Sequence, residues 1–122
     1  MTERQPTEVT NLDRYGFPAL PWSRPRDLLA SMTQVPDVPF FLGTVGLDGR
    51  PSAAGIGAAW VDGDLYFTSG PGTRKSGNLA ANPGCTIPVR LPTVDLMIEG
   101  EAIRATDAAM LEQVAKRYRE GE

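Results

Sequence analysis

The chain has 122 residues, with 12 Lys and Arg against 15 Asp and Glu and a formal net charge of −3, so it is of single-domain length and lacks the concentrated basic face that nucleic-acid binding needs. It contains no histidine and one cysteine, which excludes Ser–His and Cys–His nucleophilic schemes, a His-based zinc site and an internal disulfide, and leaves a cofactor as the natural carrier of any chemistry. No apolar run nears the ~20 residues of a bilayer span, the polar, acid-bearing start is unlike a signal peptide, and the lone thiol fits a reducing, cytoplasmic setting.

The first 21 residues are polar and irregular. Tyr15-Gly16-Phe17-Pro18-Ala19-Leu20-Pro21-Trp22 carries two prolines, which fit neither a helix nor a central strand. Tyr15, Phe17, Leu20 and Trp22 are expected to pack, first of all into the chain's own core, with a partner subunit or a ligand as alternatives. Ser23 then reads as the N-cap of a first helix, with Pro25 and Asp27 suited to its first turn and Leu28, Leu29 and Met32 as its apolar stripe. Val35-Pro36-Asp37-Val38-Pro39 ends it.

Phe40 to Leu47 reads as a strand, and Asp48-Gly49 as a hairpin turn. Arg50 to Val61 follows as a second strand, Asp62-Gly63 as a second turn of the same type, and Leu65 to Ser69 as a third strand, which together predict a three-stranded antiparallel meander. The second strand has almost no side-chain bulk across Pro51-Ser52-Ala53-Ala54-Gly55-Ile56-Gly57-Ala58-Ala59. Glycine weakens a strand unless something must approach its backbone closely. Either a flat aromatic ligand lies on this surface, or a helix or subunit packs tightly against it.

After the third strand comes Ser69-Gly70-Pro71-Gly72-Thr73-Arg74-Lys75-Ser76-Gly77-Asn78-Leu79. A strand, a Gly/Pro loop and a cationic pair opening a helix at Thr73 to Ala81 would offer free N–H groups and a positive helix end. Thr68, Ser69 and Thr73 add hydroxyl donors, Arg74 a fork for two phosphate oxygens and Lys75 a point charge. The stretch reads as a grip on a cofactor phosphate, with an ordinary solvated surface turn as the alternative. Leu79 and Ala80 are expected to face inward, and Asn82-Pro83-Gly84 to stop the helix.

Cys85 to Val89 resumes extended structure, where Cys85 reads as a buried, inert thiol. Leu91-Pro92-Thr93 turns the chain into a strand over Val94 to Arg104, with Leu96, Ile98 and Ala102 inward and Glu99 and Glu101 on a solvated face rather than as an acid/base pair. Thr106 reads as the cap of a last helix with Asp107 in its first turn; Leu111, Val114, Ala115 and Tyr118 form its stripe, and Lys116, Arg117 and Arg119 suit its C-terminal end. Helix, three strands, helix, two strands, helix predicts an α+β, mainly antiparallel fold or a partly open barrel. A core this small makes dimerisation a natural way to bury more surface.

Three stretches resemble a known family. Phe40-Phe41-Leu42-Gly43-Thr44-Val45-Gly46-Leu47-Asp48-Gly49-Arg50-Pro51 resembles the first hairpin of the pyridoxamine 5′-phosphate oxidase-like split β-barrel proteins. Trp60 to Ser69 with Thr73-Arg74-Lys75 and Asn78 to Pro83 resembles their cofactor-binding core, and Val94 to Ala102 a later strand. Among relatives the likeness is nearest to the actinobacterial flavin and deazaflavin oxidoreductases. It implies an antiparallel split β-barrel at 40–122 with short peripheral helices, preceded by an arm and short helix at 1–39. It further implies a homodimer that binds FMN or the deazaflavin coenzyme F-420 at the subunit interface and transfers hydride to or from a small-molecule substrate.

By the same resemblance Thr68, Arg74 and Lys75 bind the cofactor phosphate, with Phe67, Ser69 and Thr73 beside them. Ala54, Gly55, Gly57 and Ala58 lie along the ring system. No catalytic residue is assigned. The family's vitamin B6 oxidases carry basic residues at both ends of a six-residue window on the second strand; here that window is Ser52 to Gly57 and has neither, so another substrate is expected. The family usually continues for one or two more strands than this chain has. A non-catalytic flavin or deazaflavin carrier or sensor is the alternative, and a haem-handling role lacks its usual axial histidine.

Overall fold

A computed structural model describes residues 3–32 and 40–120, with side chains described as far as residue 117. Its elements are α1 (Ser23–Met32), β1 (Phe40–Val45), β2 (Pro51–Ile56), β3 (Ala59–Val61), β4 (Asp64–Tyr66), α2 (Arg74–Ala81), β5 (Gly84–Leu91), β6 (Val94–Glu101) and α3 (Ala108–Glu120). The expected end of the first helix at Val35 to Pro39, and with it the boundary at residue 39, lies outside the described residues.

Both predicted turns form. Gly49 adopts φ 83°, its N–H donates to Gly46 O, and Arg50 N–H donates to Asp48 Oδ1 at 3.0 Å. Asp62 and Gly63 both take positive φ, 51° and 86°, as a tight hairpin of the primed type demands. The first hairpin pairs Phe40 with Ile56 through Val45 with Pro51. That register puts Phe40, Leu42 and Thr44 on the buried face and Phe41, Gly43 and Val45 on the open one.

The meander does not form. The expected strand Arg50–Val61 breaks at Gly57-Ala58: β2 is the edge of a four-stranded sheet ordered β2-β1-β5-β6, whereas β3 pairs only with β4 in a second sheet. A glycine inside a strand commonly marks such a corner. All three residues of β3 are buried. Trp60, with Ala58 just before it, enters the main core of Leu29, Phe40, Leu42, Ile87, Val89 and Leu91, whereas Ala59 and Val61 pack on Val114 of α3. β4 stops at Tyr66 rather than Ser69, and Ser69, Gly70 and Thr73 bond to one another within the loop that follows. β6 likewise ends at Glu101 rather than Arg104, after which Ala102 N–H donates to Pro83 O.

The helix ends differ from the expected caps. Ser23 is already helical, since Arg26 N–H donates to Trp22 O and Arg24 N–H to Pro21 O. Asp107, not Thr106, caps α3, its Oδ1 accepting from Met110 N–H at 3.0 Å. The buried face of α3 runs through Met110 and Val114, while Leu111 and Ala115 are exposed; Tyr118 lies outside the described side chains. Arg117 reaches across to donate to Ala30 O, closing a carbonyl in the last turn of α1.

The arm departs most from expectation. Only Trp22 packs inward, its ring 6.3 Å from that of Trp60, while Tyr15, Phe17 and Leu20 are exposed. The start of the arm is pinned at Arg4, whose N–H donates to Asp62 O and whose Nε donates to Asp64. Gly63 permits this approach, since a Cβ there would collide with the Arg4 main chain.

Candidate functional site

The site grows from the loop between β4 and α2. Gly72 at φ 85° turns the chain, and Thr73, extended at φ −77° and ψ 157°, caps α2 by accepting from Ser76 N–H. Thr73 Oγ1 donates to Gly70 O at 2.8 Å, and Ser76 Oγ donates to the same carbonyl at 2.9 Å. Ser69 Oγ bonds to both of those hydroxyls, to Thr73 at 3.2 Å and more closely to Ser76. Two of the three hydroxyl protons are thus committed to Gly70, and the Ser69 proton serves one of its two neighbours. The knot fixes the loop. It also means that Ser69 and Thr73, expected as ligand donors, bond to one another, and must rotate to meet an anion. Thr68 is exposed at the same loop, whereas Phe67 packs against the core. Ser76 was not expected; its spacing from Thr73, a hydroxyl three residues after an N-cap, is the signal that marks it.

Arg74 and Lys75 occupy the first turn of α2, which holds no acid. Among the described residues neither forms an ion pair. Cations at a helix N-terminus oppose the helix dipole and repel each other. A bound anion would offset both terms, and an Arg fork at a helix N-terminus suits phosphate in particular.

What holds this turn in place is a pair the sequence did not reveal. Asn78 and Thr44 are both buried, at 5% and 4% exposure. Asn78 Nδ2 donates to Thr44 Oγ1 at 3.0 Å, bolting α2 to β1. In the same helix Leu79 is half-buried and Ala80 is exposed, so Asn78 rather than Ala80 takes the inward place. α2 also packs against β2, the strand of small residues.

On that strand the expected residues do not share one surface. Ala54 pairs with Leu42 on the inner face and Gly55 with Phe41 on the open face. Gly57 is exposed beyond the strand's end, and Ala58 is buried, its methyl group belonging to the core. A flat ligand therefore meets Gly55 and Gly57, or the strand's edge, and reaches Ala58 only through its main chain.

Acid–base chemistry is sparse here. Burial and then the Asp64 carboxylate push the Tyr66 hydroxyl up, against an opposing effect of Arg4, with Asp62 and Asp107 adding less. Burial likewise raises the Cys85 thiol, keeping it protonated at neutral pH. Glu99 and Glu101 are exposed, on the open sheet face away from the main core. No helix among the described residues is long and apolar enough to cross a membrane.

The comparisons bear on this geometry. The family model described as pyridoxamine 5′-phosphate oxidase matches residues 34–121. Among solved structures the chain is similar to a conserved hypothetical protein from Mycobacterium tuberculosis, at 19% identity and a TM-score of 0.72 over 84% of this chain and 64% of that one. It is similar to a protein described as an F-420 reductase, at 28% identity and a TM-score of 0.54 over 73% of this chain and 75% of that one. It is also similar to a pyridoxamine 5′-phosphate oxidase-related, FMN binding protein from Nostoc punctiforme, at 19% identity and a TM-score of 0.57 over 81% of this chain and 56% of that one. The chain thus spans less than two thirds of the first and third of these structures. No curated protein matches it.

Proposed function

The chain belongs to the pyridoxamine 5′-phosphate oxidase family and has its antiparallel split β-barrel fold with short peripheral helices, and from that premise we propose that it is a flavin- or deazaflavin-dependent oxidoreductase acting on a small-molecule substrate. The observation that carries this reading is the cationic first turn of α2, without an acid of its own, on a helix bolted to β1 by Asn78 and Thr44 and packed against β2. Arg74 and Lys75 hold the cofactor phosphate, with Thr68, Ser69 and Thr73 as hydroxyl donors. The ring system runs along β2 from Gly55, where an added Cβ would meet open space, toward Gly57. The bound cofactor supplies the hydride chemistry.

The chain's residues bind, orient and keep water from the ring. The site is completed at the interface of a homodimer, which also answers the small core. Coenzyme F-420 is the first candidate, because the structure described as an F-420 reductase shares 28% of its sequence with this chain across 75% of its length; FMN is the second. Vitamin B6 oxidation is disfavoured by the absence of basic residues between Ser52 and Gly57. A second reading is a carrier or sensor that binds without turnover: the hydroxyls of Ser69, Thr73 and Ser76 are bonded to one another and to Gly70 O rather than presented as proton donors.

Titration of the purified protein with F-420 and with FMN, followed by fluorescence, tests the binding step. Saturable binding of either is expected, and binding of neither overturns the proposal. Turnover of enones or quinones with reduced cofactor then separates the enzyme from the carrier. Replacing both Arg74 and Lys75 with Ala is expected to weaken binding by about 2–5 kcal/mol, the loss of two charge-assisted contacts.

A further inference from the structure

Two apolar surfaces of this chain face solvent, one carrying a cation and the other rimmed by acids. The first is a knob at residues 11–17. Asn11 Oδ1 accepts from Asp13 N–H, Asp13 Oδ2 accepts from Tyr15 and Phe17 N–H, Asn11 Nδ2 donates to Phe17 O, and Gly16 turns the chain at φ 88°. This closed network holds the knob's shape without help from the barrel. It presents Leu12, Tyr15 and Phe17 at 78%, 73% and 69% exposure. Arg14 lies over the Tyr15 ring at 5.2 Å and donates to its hydroxyl, so the aromatic carries a cation with it, while the Asp13 carboxylate is occupied inside the turn.

The second surface is the open face of the four-stranded sheet. It holds a hollow of about 580 Å³ between Gly43, Val45, Pro51 and Thr86, rimmed by Glu99 and Glu101. Gly43 makes the floor, since a Cβ there would stand 2.5 Å from Thr86 Oγ1. Phe41, Val45 and Met97 flank it at 48%, 37% and 52% exposure. An apolar face of this kind, rimmed by charge, marks an interaction site. The arm is pinned on the other side of that sheet: Trp22 packs with the core that the inner face covers, and Arg4 sits on the β3–β4 turn.

We infer that the knob of one protomer seats in the hollow of a second copy of this chain, with Tyr15 over Gly43 and Arg14 against Glu99 and Glu101. This contact rests on the homodimer proposed above and specifies how it is held. Charge complementarity selects the occupant, since the one chain supplies both the cation-bearing aromatic and the acid-rimmed hollow.

A charge swap tests it. Arg14→Glu alone, and Glu99→Arg with Glu101→Arg alone, are each expected to raise the dimer dissociation constant tenfold or more in sedimentation experiments, as loss of a central anchor does. Mixing the two variants restores dimers, because in the mixed pair both knobs meet a hollow of opposite charge. Tyr15→Ser with Phe17→Ser weakens association beyond rescue, with the protomer's circular dichroism unchanged because both side chains are exposed. If the single swaps remain dimeric, the knob contact is overturned while the dimer stands. If the native chain is monomeric at all concentrations, both fall. If mixing restores nothing while the two swaps combined in one chain do, the knob closes on its own barrel and the inference is overturned.

Discussion

Thr44 and Asn78 are the buried polar residues among those described, and each answers the other. Removing one partner leaves the other buried and unpaired. Asn78→Leu is therefore expected to destabilise the fold by about 1–3 kcal/mol in urea unfolding, and adding Thr44→Val to recover much of that loss. Both variants should bind cofactor less tightly, because the cationic turn loses its bolt. If Asn78→Leu alone is as stable as the native chain, the bond is not what holds α2. Gly63 gives a second test at this scale. An L residue at φ 86° costs about 1–2 kcal/mol, and its Cβ would collide with Arg4. Gly63→Ala should thus both destabilise the protein and free the arm, seen as faster proteolysis within residues 5–21; unchanged cleavage would mean that the arm is held elsewhere. The loop into α2 was legible in sequence because its residues are contiguous. Asn78 and Thr44 are 34 residues apart, and nothing local marks them as a pair.

At the scale of elements, the two turns were legible because Asp-Gly dictates its own backbone angles. The split between β2 and β3 was not: a strand buried on both faces gives a continuous apolar run, whichever sheet it joins. The stripe of α3 shows the same limit: Val114 lies inward as its period predicts, but Met110 fits that period beside it as well as Leu111 and Ala115 do, and only the position of β3 decides among them. The β3–β4 hairpin carries a pH dependence. The folded state raises the Tyr66 hydroxyl, chiefly through burial and then through Asp64, Asp62 and Asp107. The folded chain therefore keeps a proton that the unfolded chain releases. This contribution is complete below pH ~10, the unperturbed tyrosine value, and is lost as pH rises through the raised folded value. Unfolding followed across that range should show stability falling with pH in the native chain and a flatter profile in Tyr66→Phe; matching slopes would place the titration elsewhere.

For the whole molecule, the family was legible because its hairpin, loop and later strand recur as short contiguous stretches, and the match across residues 34–121 agrees with that reading. The arm was not, since exposed and buried aromatics look alike in sequence: Trp22 went to the core, and Tyr15 and Phe17 to the surface. The central claim is that the loop into α2 grips a phosphate. The most direct test is the affinity of each cofactor against its phosphate-free chromophore, FMN with riboflavin and F-420 with its bare deazaflavin, in the native chain and in the variant with Arg74→Ala and Lys75→Ala. The native chain is predicted to prefer the phosphorylated form of its cofactor by at least thirtyfold, about 2 kcal/mol, and the variant to lose that preference while binding the bare chromophore as before. Equal affinity for the two forms in the native chain would contradict the account.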